Sequence, residues 1–366
     1  MIRVFWVHLI WLLVFPLAST KEPRLSVSRT NGEVFCAAVH KVLPTKFHLR
    51  TRDHFNLSSA TADQKGKIFK NHLKPDKDVV VIVHEYLRGC YTSFTVETTK
   101  AYHRTRPKVQ IVNVCWNAGF PFLSSNVGEP LGSLGYLPAT MFLPCVGDLI
   151  AKFLKRIHQE SHVPWNRITL IGHSLGCQLA GDAGNKVGGK LRKIIALDPA
   201  TPRYGFTPLT KSLLGPMSAR NVIVLHTARF QFNMGTADFY ANAEDQPGCE
   251  TYLKFVPSAV VYFWLCSHSR SYQYFIESVL KPDAFPARKC ASYEKMHEGK
   301  CEKKNSTYFG PDTEVNWDLL LQNKGREAVL LNGRLQPEDV KNHVHETHSA
   351  YDEFVCSLDW NTKGIP

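Results

Sequence analysis

The chain has 366 residues, 44% of them hydrophobic, and a formal net charge of +12 at pH 7. That is enough apolar material for a substantial core, and it excludes a low-complexity chain. No dense Lys/Arg block stands out, which argues against a nucleic-acid partner; the basic balance suits anionic lipid surfaces or polyanions.

Met1-Ile2-Arg3 gives a short basic start, residues 4–17 are almost wholly apolar, and Ala18-Ser19-Thr20 are small. This pattern predicts a cleaved signal peptide over residues 1–20, and hence a secreted, extracellular protein. No later stretch is apolar enough to cross a bilayer. All ten cysteines fall in the mature region, an even count that predicts disulfides in a secreted chain. No C-x-x-C pair is present, so no zinc module and no metal are expected. Asn56-Leu57-Ser58 and Asn305-Ser306-Thr307 are glycosylation acceptors.

Residues 21–76 carry turn-formers and few strong periods. Residues 78–83, ending at His84, and residues 109–116 are β-branched runs that predict strands. A Gly/Pro/Ser-rich stretch over 117–138 reads as a loop. Phe142, Val146, Leu149, Phe153 and Ile157 then recur at helical spacing over 141–157. Residues 168–172, 193–197 and 221–226 are further strands, and residues 177–187 suit a helix. Short apolar strands alternating with helices predict an α/β class with a mostly parallel central sheet flanked by helices. One domain over 21–366 is expected, with an irregular C-terminal tail.

Gly172-His173-Ser174-Leu175-Gly176 lies between a strand and a helix, the setting that makes G-x-S-x-G a nucleophile elbow. A serine hydroxyl needs a base to take its proton and an acid to orient that base. Asp198 ends the next strand and suits the acid. The histidines after it are His226, His268, His297, His343, His345 and His348, and spacing alone leaves the base open. His226 ends a strand and also suits a core role. His343, His345 and His348 do not form H-E-x-x-H and read as a solvated segment. His268 follows Cys266, a residue suited to fixing its loop.

Five segments taken together resemble the pancreatic lipase family of neutral lipases and A1 phospholipases: Gly172-His173-Ser174-Leu175-Gly176, Leu197-Asp198-Pro199-Ala200-Thr201-Pro202, His226-Thr227, Gln246-Pro247-Gly248-Cys249 and Cys266-Ser267-His268-Ser269-Arg270-Ser271-Tyr272. Cys290-Ala291-Ser292-Tyr293 with Cys301 is similar to a late cysteine loop of that family. The resemblance implies an α/β-hydrolase fold, with Ser174 as nucleophile, Asp198 as acid and His268 as base. It also implies Cys249–Cys266 and Cys290–Cys301 bridges and no cofactor.

Acyl transfer needs two N–H groups aimed at the developing oxyanion. Leu175, after the nucleophile, supplies one. The family draws the other from a His-Gly-aromatic turn, which here reads His84-Glu85-Tyr86, so Tyr86 matches the donor. Glu85 departs from the glycine. Either it strains the turn and opposes the oxyanion, so that Glu85→Gly raises activity, or it points into solvent and leaves Tyr86 in place. Cys115-Trp116 departs from the usual Asp-Trp, and Cys115 has Cys90 or Cys36 as partner, or stays a buried thiol.

Sixteen residues separate Cys249 from Cys266, and Tyr252, Leu253, Phe255, Tyr262, Phe263 and Trp264 are among them. In the family this segment is the lid over the active site, so these six are expected to contact lipid. Only 22 residues lie between His226 and Cys249, which leans toward the A1 phospholipases. With 98 residues after His268, the family's C-terminal β-sandwich domain is not expected. The expectation is a secreted glycerolipid ester hydrolase working at a membrane or lipid-droplet surface, with no obligate protein partner. The rival is a weak or inactive lipid-binding or storage protein on the same scaffold, since the resembled family includes non-catalytic yolk proteins.

Overall fold

The computed structural model describes residues 29–42, 44–52, 58–64, 69, 72–86, 89–116, 129–200, 213–228, 233–242, 246–249, 259–290, 293–303, 307–314 and 327–331. The expected signal segment 1–20, Asn56, Asn305, Tyr252, Leu253, Phe255, His343, His345 and His348 lie outside these residues, and the side chains of Tyr262, Phe263 and Trp264 are likewise outside the description. The chain divides into a unit of residues 1–38 and a compact unit of residues 39–366.

The element order is α1 (Arg29–Val42), β1 (Lys46–Arg50), β2 (Ser58–Ala60), β3 (Val79–Val83), α2 (Ser93–Thr105), β4 (Gln110–Cys115) and α3 (Glu129–Ser161). Then come β5 (Ile168–His173), α4 (Leu175–Lys186), β6 (Lys193–Leu197), β7 (Asn221–His226), β8 (Ala237–Ala241), α5 (Ala259–Leu280), β9 (Pro286–Cys290), α6 (Tyr293–His297), β10 (Thr307–Tyr308) and β11 (Glu327–Leu331). The strands form one sheet in the order β10-β9-β11-β8-β7-β6-β5-β3-β4-β1-β2. From β4 through β3, β5, β6, β7 and β8 to β11 every pairing is parallel, and antiparallel strands close both edges. With helices on both faces, this is the α/β-hydrolase architecture.

The sheet explains why its strands read as unbroken apolar runs. In β3 every residue is buried. Val79, Val81 and Val83 face one core with Leu149, Ile150 and Phe153 of α3 and Leu179 of α4. Val80 and Ile82 face the opposite core with Phe94 and Tyr102 of α2 and Phe275 of α5. A parallel strand covered on both faces has no reason to alternate polar with apolar.

Three expectations change. Helix α3 begins at Glu129, so residues 129–138 are helix and not part of the expected loop. Pro130 sits in its first turn, where no intrahelical N–H bond is needed, and burial of Leu143, Val146, Ile150 and Leu154 outweighs the weak propensity of its glycines. Helix α5 carries Cys266 and His268, so the histidine stands on a helix and not on a loop. The C-terminal tail contributes β11, parallel to β8 and antiparallel to β9. Among the described residues no helix is long and apolar enough to cross a membrane.

Candidate active site

The turn between β5 and α4 puts Ser174 at φ 55° and ψ −123°, a strained conformation for a residue with a Cβ. The glycines around it make that turn sterically feasible. A Cβ at Gly172 would come within 2.6 Å of the backbone of Gly176 and Cys177, and one at Gly176 would run into the Val83 and His84 carbonyls. The elbow therefore presses against the turn that leaves β3. Leu175 opens α4, so its N–H has no partner in the helix and lies at the positive end of the helix dipole.

Asp198 follows β6, whose Leu197 is in register with His173 of β5. Its φ of 44° is a second left-handed backbone at the site. Asp198 Oδ1 accepts N–H bonds from Thr227 at 2.8 Å and Ala228 at 3.0 Å, and Oδ2 accepts from His268 Nδ1 at 2.5 Å. Burial would raise the pKa of Asp198, but His268 and these N–H groups outweigh it and hold the carboxyl below its ordinary range. His268 is lowered, by burial first and His173 second, against the opposing pull of Asp198. A neutral imidazole, fixed with its Nδ1 proton toward a carboxylate, leaves Nε2 able to accept a proton. Ser174 follows His173, whose ring centroid is 4.6 Å from that of His268. The structure thus brings His268 onto Asp198 and beside His173, the residue that precedes Ser174, at the carboxyl ends of β5 and β6.

The supporting layer explains a motif that the sequence offered only as a resemblance. Gln246 Nε2 donates to the Thr227 carbonyl at 2.8 Å and the Ala241 carbonyl at 2.9 Å. Its Oε1 accepts from the Tyr274 hydroxyl at 3.0 Å, whose pKa is pushed up to about 12 by burial. Gln246 so anchors the segment that carries the Asp198 donors. Gln178 does the same for the stretch after β6, reaching the Ala200 carbonyl at 2.9 Å and the Leu213 and Leu214 N–H groups.

His226 does not join this group. It pairs with buried Asp238 at 2.8 Å and stacks on Tyr240, while Asp238 also accepts the Met234 and Gly235 N–H groups. That arrangement fixes the β7–β8 turn. Disulfides join Cys249 to Cys266, Cys290 to Cys301, and Cys115 to Cys90. Trp116 donates to the His84 carbonyl at 3.0 Å, which pins the turn bearing Glu85 and Tyr86. Glu85 is not among the residues with positive φ, so it does not strain that turn. Nor does it point into solvent: its Oε2 lies 3.5 Å from His173 Nδ1.

A parallel sheet with a strained serine between strand and helix, beside a buried His–Asp pair, defines an α/β-hydrolase scaffold. The model of the family described as Lipase matches residues 18–314, and the chain belongs to that family. Pancreatic lipase-related protein 3 of Homo sapiens is 39% identical over 189 residues, which is 46% of this chain and 40% of that protein. Phospholipase A1 of Vespa velutina is 32% identical over 251 residues, covering 65% of this chain and 78% of the relative. Inactive pancreatic lipase-related protein 1 of Homo sapiens is 29% identical, covering 71% and 58%. The chain spans less than two thirds of the length of these two pancreatic relatives.

Proposed function

We propose that this protein is a secreted serine carboxylic-ester hydrolase acting on glycerolipids at a membrane or lipid-droplet surface, of phospholipase A1 or neutral lipase type. The observation that carries the reading is the His268–Asp198 hydrogen bond at 2.5 Å beside the strained Ser174 elbow. Ser174 Oγ attacks the ester carbonyl while His268 Nε2 takes the hydroxyl proton. The Leu175 and Tyr86 N–H groups hold the oxyanion. Collapse expels the alcohol, which takes the proton from His268. Water then gives a proton to His268 and attacks the acyl-serine, and collapse releases the fatty acid as Ser174 Oγ takes that proton back from His268. Asp198 keeps His268 in the productive tautomer and stabilises the imidazolium. The disulfide-closed segment from Cys249 to Cys266 is the lid, and its apolar side chains meet lipid.

The test compares wild type with Ser174→Ala on phospholipid and triglyceride substrates, identifying the released fatty acid and lysolipid. Loss of all release in Ser174→Ala, with sn-1 chains released from phospholipid by wild type, is the expected result. Turnover unchanged in Ser174→Ala overturns the assignment, and release only from triglyceride moves the substrate to neutral glycerides. The second reading, a weak or inactive lipid-binding or storage protein, is favoured by Glu85 in place of glycine and by the inactive relative. Lipid binding with neither turnover nor phosphonate labelling at Ser174 selects it.

A further inference from the structure

Glu85 and His173 are two buried or half-buried titratable groups that this mechanism does not use. Glu85 Oε2 and His173 Nδ1 lie 3.5 Å apart, and neither atom has a hydrogen-bond partner. The Glu85 side chain is 13% exposed and that of His173 is 3% exposed, so water screens the pair weakly. On its other side, His173 Nε2 is 3.4 Å from the His268 carbonyl oxygen, and the two rings stand 4.6 Å apart at 32°. Phe94 and Tyr272 confine the His173 ring at centroid distances of 5.5 Å and 5.3 Å. Glu85 thus reaches the catalytic base through one intervening imidazole.

Resting on the reading of His268 as base, we infer that Glu85 and His173 form a second carboxylate–imidazole pair that positions His268 from its ring face and supplies counter-charge to its imidazolium. Asp198 holds His268 at Nδ1, in the ring plane. The second pair supports the ring from the side and through its backbone carbonyl. Glu85 occupies the position where the resembled family has glycine, so this device belongs to the present chain. Around the pair stand His84 after β3 and His268 and Tyr272 on α5, with Asp198 after β6 on the Nδ1 side of His268. Asp198 and Glu85 are the carboxylates among them. Burial would raise the pKa of Glu85, but His173 first and His84 next outweigh it and hold the carboxyl below its ordinary value. A carboxylate held ionised favours a proton on His268 and resists its loss.

The experiment uses the full mature chain with ¹⁵N-labelled histidine. The His268 resonance is assigned by its absence in His268→Gln, and its titration midpoint is followed in wild type, Glu85→Gln and Glu85→Gly. Charges on the order of 8 Å apart at an effective dielectric of about 20 shift a midpoint by roughly 0.5–1.5 pH units after partial screening. The expected result is that downward shift in both variants. The acidic limb of kcat/KM on a soluble ester should move with it, and kcat should fall about tenfold at little change in KM. Glu85→Gln is nearly isosteric, so it keeps the test valid if the glycine variant folds poorly. An unmoved midpoint, or a kcat/KM raised in Glu85→Gly at an unmoved midpoint, overturns the inference and makes Glu85 an obstruction to the oxyanion. The NMR readout needs no turnover. An inactive wild type with the shift therefore sinks the catalytic reading alone, and an active wild type without it sinks the pair alone.

Discussion

Replacing Asp198 by Asn tests the site at its most constrained point. Asp198 Oδ1 already accepts the Thr227 and Ala228 N–H groups at 2.8 and 3.0 Å. An asparagine keeps those bonds only by putting its carbonyl oxygen there, which turns its NH₂ toward His268 Nδ1. Two donors cannot face each other, so the imidazole must take the tautomer with the proton on Nε2. That proton then points at Ser174, and the base is lost without any change of shape. The same exchange in serine-protease triads lowers kcat by about 10⁴, or about 5 kcal/mol of transition-state stabilisation. The assay is hydrolysis of a soluble nitrophenyl ester by wild type and Asp198→Asn, with thermal melts to confirm the fold. A melt within a few degrees of wild type and a loss of about 10³–10⁴ in kcat are expected. A loss under tenfold in a folded variant would refute the argument, because the carboxylate would then not be setting the tautomer.

Gln246→Leu removes two donated and two accepted bonds in a fully buried place, stranding the Thr227 and Ala241 carbonyls. It should cost about 3 kcal/mol and lower Tm by roughly 4–5 °C, with activity reduced as Thr227 shifts against Asp198; a Tm within 1 °C of wild type (about 0.7 kcal/mol) would show the clamp to be idle. Asp198 and Glu85 both have folded-state pKa values below their ordinary ones. Their contribution to stability is therefore complete above about pH 5, beyond both unfolded values, and is lost as pH falls through the folded values, because protons bind the unfolded chain first. Urea midpoints should drop as pH falls below about 5, and less so in the Asp198→Asn, Glu85→Gln double variant; equal drops in both would place the acid sensitivity elsewhere.

The sequence by itself determined the parts whose causes are local. Strands such as residues 79–83 were legible because a strand covered on both faces is apolar throughout, and the elbow was legible because only glycines fit where Gly172 and Gly176 meet backbone. Asp198 stood out as the acid at the end of the strand following the elbow. Helix α3 was cut short because Pro and Gly over 129–138 speak against helix locally, while the reason for the helix is burial against a distant sheet. Spacing left open which histidine meets Asp198, the family resemblance pointed to His268, and the tertiary structure supplies the physical reason. Those two residues are 70 positions apart, and it is α5, packed with α2 on one face of the sheet, that brings His268, rather than His226, onto the carboxylate. Tertiary structure alone decided that Cys115 bridges to Cys90, that Gln246 braces Thr227, and that Glu85 turns to His173. Each is a contact between segments joined only by the fold, and propensity and periodicity act over a few residues.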